Sequence, residues 1–202
     1  MPTILQKNAA VLRRNAELLN QKDFCAPRLK KIIANMVTAL EKEPDGVAIA
    51  APQIGTPLRI FVVSHRAFEF IEAQENKGTK EQGNSDSDLQ TQTTKDSLPT
   101  TRHKIQANNL VFINPEIIKS SHKRSWIPEG CLSVRGLYGE VSRADKVTVR
   151  AYNELGKIFT RGGSGLLAQI FQHETDHLNG ILFIDTARNI EEVTHKKVGQ
   201  ED

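Results

Sequence analysis

The sequence predicts an α+β domain in which short antiparallel strands pack around one late helix, with an amphipathic helix nearer the N-terminus. Three observations carry this. An apolar stripe at helical spacing runs through residues 27–42, several short β-branched segments are joined by turns without any βαβ rhythm, and a second helical run covers 165–179. The chain has 202 residues, which is the size of one domain and enough to bury a core without disulfide staples. No internal repeat is evident.

The first helix places Leu29, Ile32, Ile33, Met36 and Leu40 on one face, and Pro27 suits its first turn. After Pro44-Asp45-Gly46 the segment GVAIAAPQIG is broken by Pro52 and ended by Gly55, and Leu58 to Ser64 favours a strand. Residues 72–108 are rich in Gln, Thr, Ser, Lys, Glu and Asp. Such a tract buries too little apolar surface to offset its ordering entropy, so it is expected to be a mobile surface insertion in a single domain spanning 1–202. Beyond it, Leu110 to Ile113 is expected to be a strand ended by Asn114-Pro115. Lys146 to Tyr152 and Lys157 to Arg161 form a hairpin across Asn153-Glu154-Leu155-Gly156. The late helix buries Leu166, Leu167, Ile170 and Phe171 and meets Gly180 as its C-cap.

Charge and cysteine content narrow the function. Lys plus Arg number 27 and Asp plus Glu 24, a formal charge of +3 that no segment concentrates, so nothing favours specific nucleic-acid binding. The apolar stretches fall well short of the roughly 18 residues that a membrane span requires. The N-terminus lacks the pattern of a signal or transit peptide, and Cys25 and Cys131 are too few and too distant for a disulfide framework. The expected compartment is the cytoplasm.

The late helix contains His173-Glu174-Thr175-Asp176-His177, an H-E-x-x-H motif. Histidines at i and i+4 stand one above the other on a helical face, so both imidazoles reach one cation. Glu174 is rotated by about 100° and free for proton transfer. His65, His103, His122 and His195 have no such arrangement and are expected to be solvated or locally bonded. A catalytic site needs a third ligand. The position that carries a third histidine in metzincin proteases is Phe183, which cannot ligate. Glu191 or Glu192 could serve as in gluzincins, but they lie in a polar tail where a helical first turn is the expected role. Cys131, in the tight segment Glu129-Gly130-Cys131-Leu132-Ser133, is the favoured ligand.

Three segments in this order, GVAIAAPQ at 46–53, EGCLS at 129–133 and QHETDH at 172–177, make the chain resemble the peptide deformylases across nearly its whole length outside the insertion. The resemblance implies that Cys131, His173 and His177 hold one divalent metal ion, natively Fe2+, with Zn2+, Ni2+ or Co2+ able to substitute. It implies that Glu174 carries the proton, and that the Gln53 side-chain amide and the Leu132 backbone N–H meet the developing oxyanion. The resemblance further implies that the substrate is an N-formylmethionyl peptide on a nascent chain, lying along Val47, Ala48, Ile127, Glu129, Gly130, Leu166 and Ile170. Arg143 and Asp176 match a structural ion pair that fixes the metal helix. Transient contact with the ribosome is also implied, although the tail after Ile184 is short, with Lys196-Lys197 its basic pair.

Two positions depart from the family pattern. Ala48 stands for the second glycine of the first motif and places a methyl where peptide backbone is expected to pass. Val134-Arg135-Gly136 stands where a proline usually follows the second motif. Two other functions use the same helix: a zincin-type metallopeptidase, which lacks its own third ligand, and a non-catalytic metal-binding module, which would need neither Glu174 nor Gln53.

Overall fold

The computed structural model describes residues 2–78 and 109–193. Its middle layer is a five-stranded antiparallel sheet in the order β1-β2-β3-β6-β7, built from β1 (Ala48–Ala50), β2 (Ile60–Val63), β3 (Leu110–Ser120), β6 (Lys146–Tyr152) and β7 (Ile158–Ser164). A three-stranded sheet in the order β4-β5-β8 comprises β4 (Arg124–Cys131), β5 (Val134–Ala144) and β8 (Arg188–Glu192). The helices are α1 (Pro27–Glu41), α2 (His65–Gly78) and α3 (Gly165–Leu178).

Period-two alternation divides the larger sheet's side chains between two helices. Phe61, Val63, Phe112, Val149 and Ala151 pack with Leu167, Ile170 and Phe171 of α3. Their neighbours Ile49, Ile60, Val62, Val111 and Ile113 pack with Leu29, Met36 and Leu40 of α1. Both faces are thus covered, which is why β1 and β2 read as unbroken apolar runs. Phe61 stacks on Phe112 at 4.5 Å, and Phe171 meets Phe112 edge-on at 5.2 Å, seating α3 on the sheet. The smaller sheet closes over Leu12, Leu182 and Phe183.

Gln172 ties α3 to β5 as a strand would. Its Oε1 accepts from the Ala144 N–H at 2.9 Å, and its Nε2 donates to the Ala144 carbonyl at 3.0 Å. Gly180 ends the helix at φ +73, where a Cβ would sit 2.8 Å from the Arg13 carbonyl carbon, so glycine is required by both conformation and space.

Two expectations need correction, and one tract is partly described. Asn114-Pro115 does not end β3: Asn114 adopts φ +50 at a register shift between Ile113 and Glu116, a bulge that absorbs the missing proline donor, and pairing resumes to Ser120. Glu191 and Glu192 are in strand β8, paired with β5, and not in a helical turn. Helix α2 extends through residue 78 and so enters the tract expected to be an insertion from residue 72. The rest of that tract, with His103, His195 and Lys196-Lys197, lies outside the described residues.

Candidate metal centre

The three signature segments come from distant parts of the chain, and the fold brings them to one cleft of about 460 Å³. Glu129-Gly130-Cys131 ends β4, Leu132-Ser133 makes the tight link into β5, Val47-Ala48 leads into β1, and α3 forms the floor. The cleft is lined by Val47, Ala48, Gln53, Glu129, Gly130, Cys131, Leu132, Leu166, Ile170, His173 and Glu174, and its outer end by Asp45, Arg135, Gly136, Leu137 and Tyr138. Of the positions expected along the substrate, Ile127 is the one missing from this lining; it pairs with Val141 within the smaller sheet. Phe183 is fully buried, and Glu191 and Glu192 are exposed on β8, so none of the protease-type third-ligand positions joins the cleft.

Donor atoms of Cys131, His173 and His177 all lie within 4.8 Å of one another. Cys131 Sγ is 3.2 Å from His177 Nε2. That approaches the roughly 3.5 Å edge made at a tetrahedral angle by metal–sulfur and metal–nitrogen bonds of about 2.3 and 2.1 Å. One thiolate and two imidazoles are a soft-to-borderline donor set suited to zinc, iron, nickel or cobalt. The residues therefore fit a divalent cation. The rest of the site supports the same conclusion: His173 Nδ1 is engaged by Glu129 Oε2 at 3.1 Å, which fixes the ring and leaves its other nitrogen for the site.

Glu129 was expected along the substrate, but its carboxylate is turned to support the centre. Besides His173, it accepts from Arg143 Nε at 2.7 Å and Arg143 Nη2 at 3.0 Å, while Arg143 Nη1 reaches Asp176 Oδ2 at 2.5 Å. The Arg143–Asp176 pair thus extends into a largely buried chain that joins β5, β4 and two residues of α3, His173 and Asp176. Burial would raise the Glu129 pKa, but hydrogen bonds from His173 and Arg143 outweigh it and hold the carboxyl at about 2. Local spacing does not reveal this role; the only signal was the glutamate's place within the motif.

Cys131 is likewise opposed by burial, yet the charge of His177 and hydrogen bonds from both histidines hold its thiol well below the usual range, favouring the thiolate. The Ser133 N–H also donates to Cys131 Sγ at 3.4 Å. Gln53 is almost wholly buried. Its Oε1 accepts from the Ala50 N–H at 2.8 Å and its Nε2 donates to Ser133 Oγ at 3.1 Å, so the amide donor faces the Cys131 side of the cleft. Among the described residues, Glu174 Oε2 and His177 Nδ1 are the two buried side-chain polar atoms without a hydrogen-bond partner. Burial pushes the Glu174 carboxyl up to about 7, against the charges of His173 and His177.

Comparison with known proteins places this geometry in a family. The sequence model of polypeptide deformylase matches residues 1–193. Peptide deformylase of Borreliella burgdorferi is 39% identical over 92% of this chain and 86% of its own length, and that of Carboxydothermus hydrogenoformans is 37% identical over 84% and 88%. A crystal structure of a class I type b peptide deformylase from Acinetobacter baumannii, bound to Met-Ala-Ser, superposes with a TM-score of 0.67 at 27% identity, covering 91% of this chain and 97% of that one. The chain belongs to the polypeptide deformylase family, hydrolases that remove the formyl group from an N-terminal methionine.

Proposed function

We propose that Cys131, His173 and His177 hold one divalent cation, natively Fe2+, and that the cleft around them deformylates N-formylmethionyl peptides of nascent chains. The observation that carries this is the convergence of the Cys131, His173 and His177 donor atoms at a cleft lined by Cys131, His173 and Glu174, with Glu174 Oε2 buried there without a hydrogen-bond partner. When bound, the cation acts as a Lewis acid, activating water and polarising the formyl carbonyl.

The protein side chains supply position and proton transfer. Glu174 takes the proton of the attacking water and returns it to the leaving amine as the C–N bond breaks, giving formate and a free α-amine. A carboxyl with a pKa near 7 can do both at neutral pH. The Gln53 amide, braced by Ala50 and Ser133, and the Leu132 N–H donate to the oxygen on which negative charge develops. Among the described residues the outer edge of β1 has no strand partner in the sheet order, which leaves its backbone groups for an extended peptide. The methionine side chain enters beside Val47, Leu166 and Ile170, which supply apolar surface. Peptide binding is supported by the Met-Ala-Ser complex of the Acinetobacter relative. No helix among the described residues is long and apolar enough to cross a membrane; membership of the deformylase family is what supports a cytoplasmic site of action and transient contact with the ribosome.

Anaerobic purification with elemental analysis, followed by formate release from formyl-Met-Ala-Ser, tests this. About one cation per chain and stoichiometric formate are expected, with no cleavage of unformylated peptides. Cleavage of internal peptide bonds, or a loaded cation without formate release, would overturn it.

A further inference from the structure

The two groups that meet the developing oxyanion, the Gln53 amide and the Leu132 N–H, stand on segments far apart in the chain, and residues 4–6 touch both. The Leu5 N–H donates to the Gln53 carbonyl at 2.8 Å. The Gln6 side chain donates from Nε2 to the Leu132 carbonyl at 3.2 Å and to the Ile4 carbonyl at 3.4 Å, so the two hydrogens of one amide join two backbones. The segment is also anchored independently of these bonds. Ile4 packs against the core cluster of α1 that takes Leu132 as well, and Leu5 packs against the cluster under the smaller sheet that takes Cys131. Gln6 itself is exposed, so what it contributes is its amide and not buried apolar surface.

The bond to Leu132 acts on a single peptide plane. A peptide unit is rigid, so the Leu132 carbonyl and the Ser133 N–H move together. Gln6 holds the carbonyl side of this unit, and its N–H side donates to Cys131 Sγ at 3.4 Å. On the other side of Leu132, β4 is paired through Cys131. With both flanks held, the Leu132 N–H has little freedom to turn. Ser133 Oγ also accepts from Gln53 Nε2 at 3.1 Å, so the same unit orients both oxyanion donors. We propose that Gln6 is a positioning residue of this site, which through the Leu132–Ser133 peptide holds the two donors where the tetrahedral transition state needs them. The inference rests on the deformylase reading of the cleft and adds to it a residue outside the three signature segments. Such donors act on charge that develops after binding, so their misplacement is felt in kcat and not in KM. One hydrogen bond to a partly exposed carbonyl is worth about threefold to tenfold, which sets the size of the effect.

The test compares Gln6→Met, which keeps the side-chain length and loses the donor, with Gln6→Lys, which restores a donor able to reach the same carbonyl. Water can solvate that carbonyl in Gln6→Met, and the apolar anchors remain, so the variant is expected to fold. Metal-loaded full chains are assayed for formate release from formyl-Met-Ala-Ser. Gln6→Met should lower kcat by about threefold to tenfold with KM within about twofold and metal per chain unchanged, and Gln6→Lys should recover most of the loss. Hydrogen exchange at the Ser133 N–H of the Zn2+-loaded chains gives a reading independent of turnover. Its protection should fall by about threefold or more in Gln6→Met and return in Gln6→Lys, while the amides of α3 keep theirs. An unchanged kcat in Gln6→Met, a loss carried by KM, an equal loss in Gln6→Lys or an unchanged Ser133 exchange would each overturn the proposal while leaving deformylation intact. No formate release by the wild-type chain would instead overturn the reading on which it rests.

Discussion

Replacing Arg143 by Met removes the cation from the buried chain behind the metal centre while keeping an apolar stem of similar length. Arg143 is 6% exposed and serves Glu129, itself 2% exposed, through two nitrogens and Asp176 through a third. Breaking a buried pair from one side costs about 3–5 kcal/mol. The lower figure applies here, because Glu129 keeps its bond from His173 and Asp176 is a quarter exposed. For a chain of this size about 3 kcal/mol lowers Tm by about 6–12 °C. The pH dependence separates this from simple loss of packing. In the wild-type protein the Glu129 pKa is depressed to about 2, so its contribution is fully present above the unfolded value near 4.5 and is lost as pH falls towards 2. In R143M the Arg143 contribution is lost while burial still raises and His173 still lowers the carboxyl pKa, so the value moves up from about 2 and the variant loses less stability than the wild type as pH falls below about 4.5. Thermal melts of metal-free protein at pH 5 and pH 3 should show a deficit that narrows with acidification. Chelator competition should show metal affinity weaker by about 10- to 100-fold, since Glu129 orients His173. A deficit under about 1 kcal/mol, or one equally large at both pH values, would refute this reasoning.

Two further outcomes follow from the same geometry. Acid titration of the wild type should show stability falling between about pH 4.5 and pH 2, with Glu129 contributing on the order of 3 kcal/mol; in E129Q that acid-dependent component should be absent, as denaturant unfolding at each pH would measure. Ala48→Gly should raise kcat/KM on formyl-Met peptides severalfold with metal content unchanged, because Ala48 lines the cleft where peptide backbone passes. Ala48 is also packed in the core with Val63 and Leu167, so the same variant should lose about 1–2 kcal/mol; unchanged or reduced activity would reject the crowding argument.

Much of the fold was legible because its signals are local. The stripe of Leu29, Met36 and Leu40 and the caps at Pro27 and Gly180 are readable from spacing, as is the hairpin turning at Asn153 to Gly156. The continuation of β3 past Asn114-Pro115 was not, because a bulge is decided by the partner strand β6. Strand β8 was also missed: its exposed, charged residues have no apolar alternation, and its pairing to β5 is a long-range fact. At the site, spacing alone singles out His173, His177 and Glu174, and the segment around Cys131 adds the third donor that the structure brings beside the two histidines. The fork from Arg143, the bracing of Gln53 by Ser133 and the Arg135–Glu43 ion pair could not be read in this way, since each joins residues far apart in the chain.

The central claim is that Cys131, His173 and His177 bind the cation while Glu174 moves the proton, and Glu174→Ala tests it most directly. With metal per chain and formate release measured on the same preparation, the account predicts unchanged stoichiometry and a kcat lower by about 10²- to 10⁴-fold. Near-normal turnover in the metal-loaded variant would contradict it.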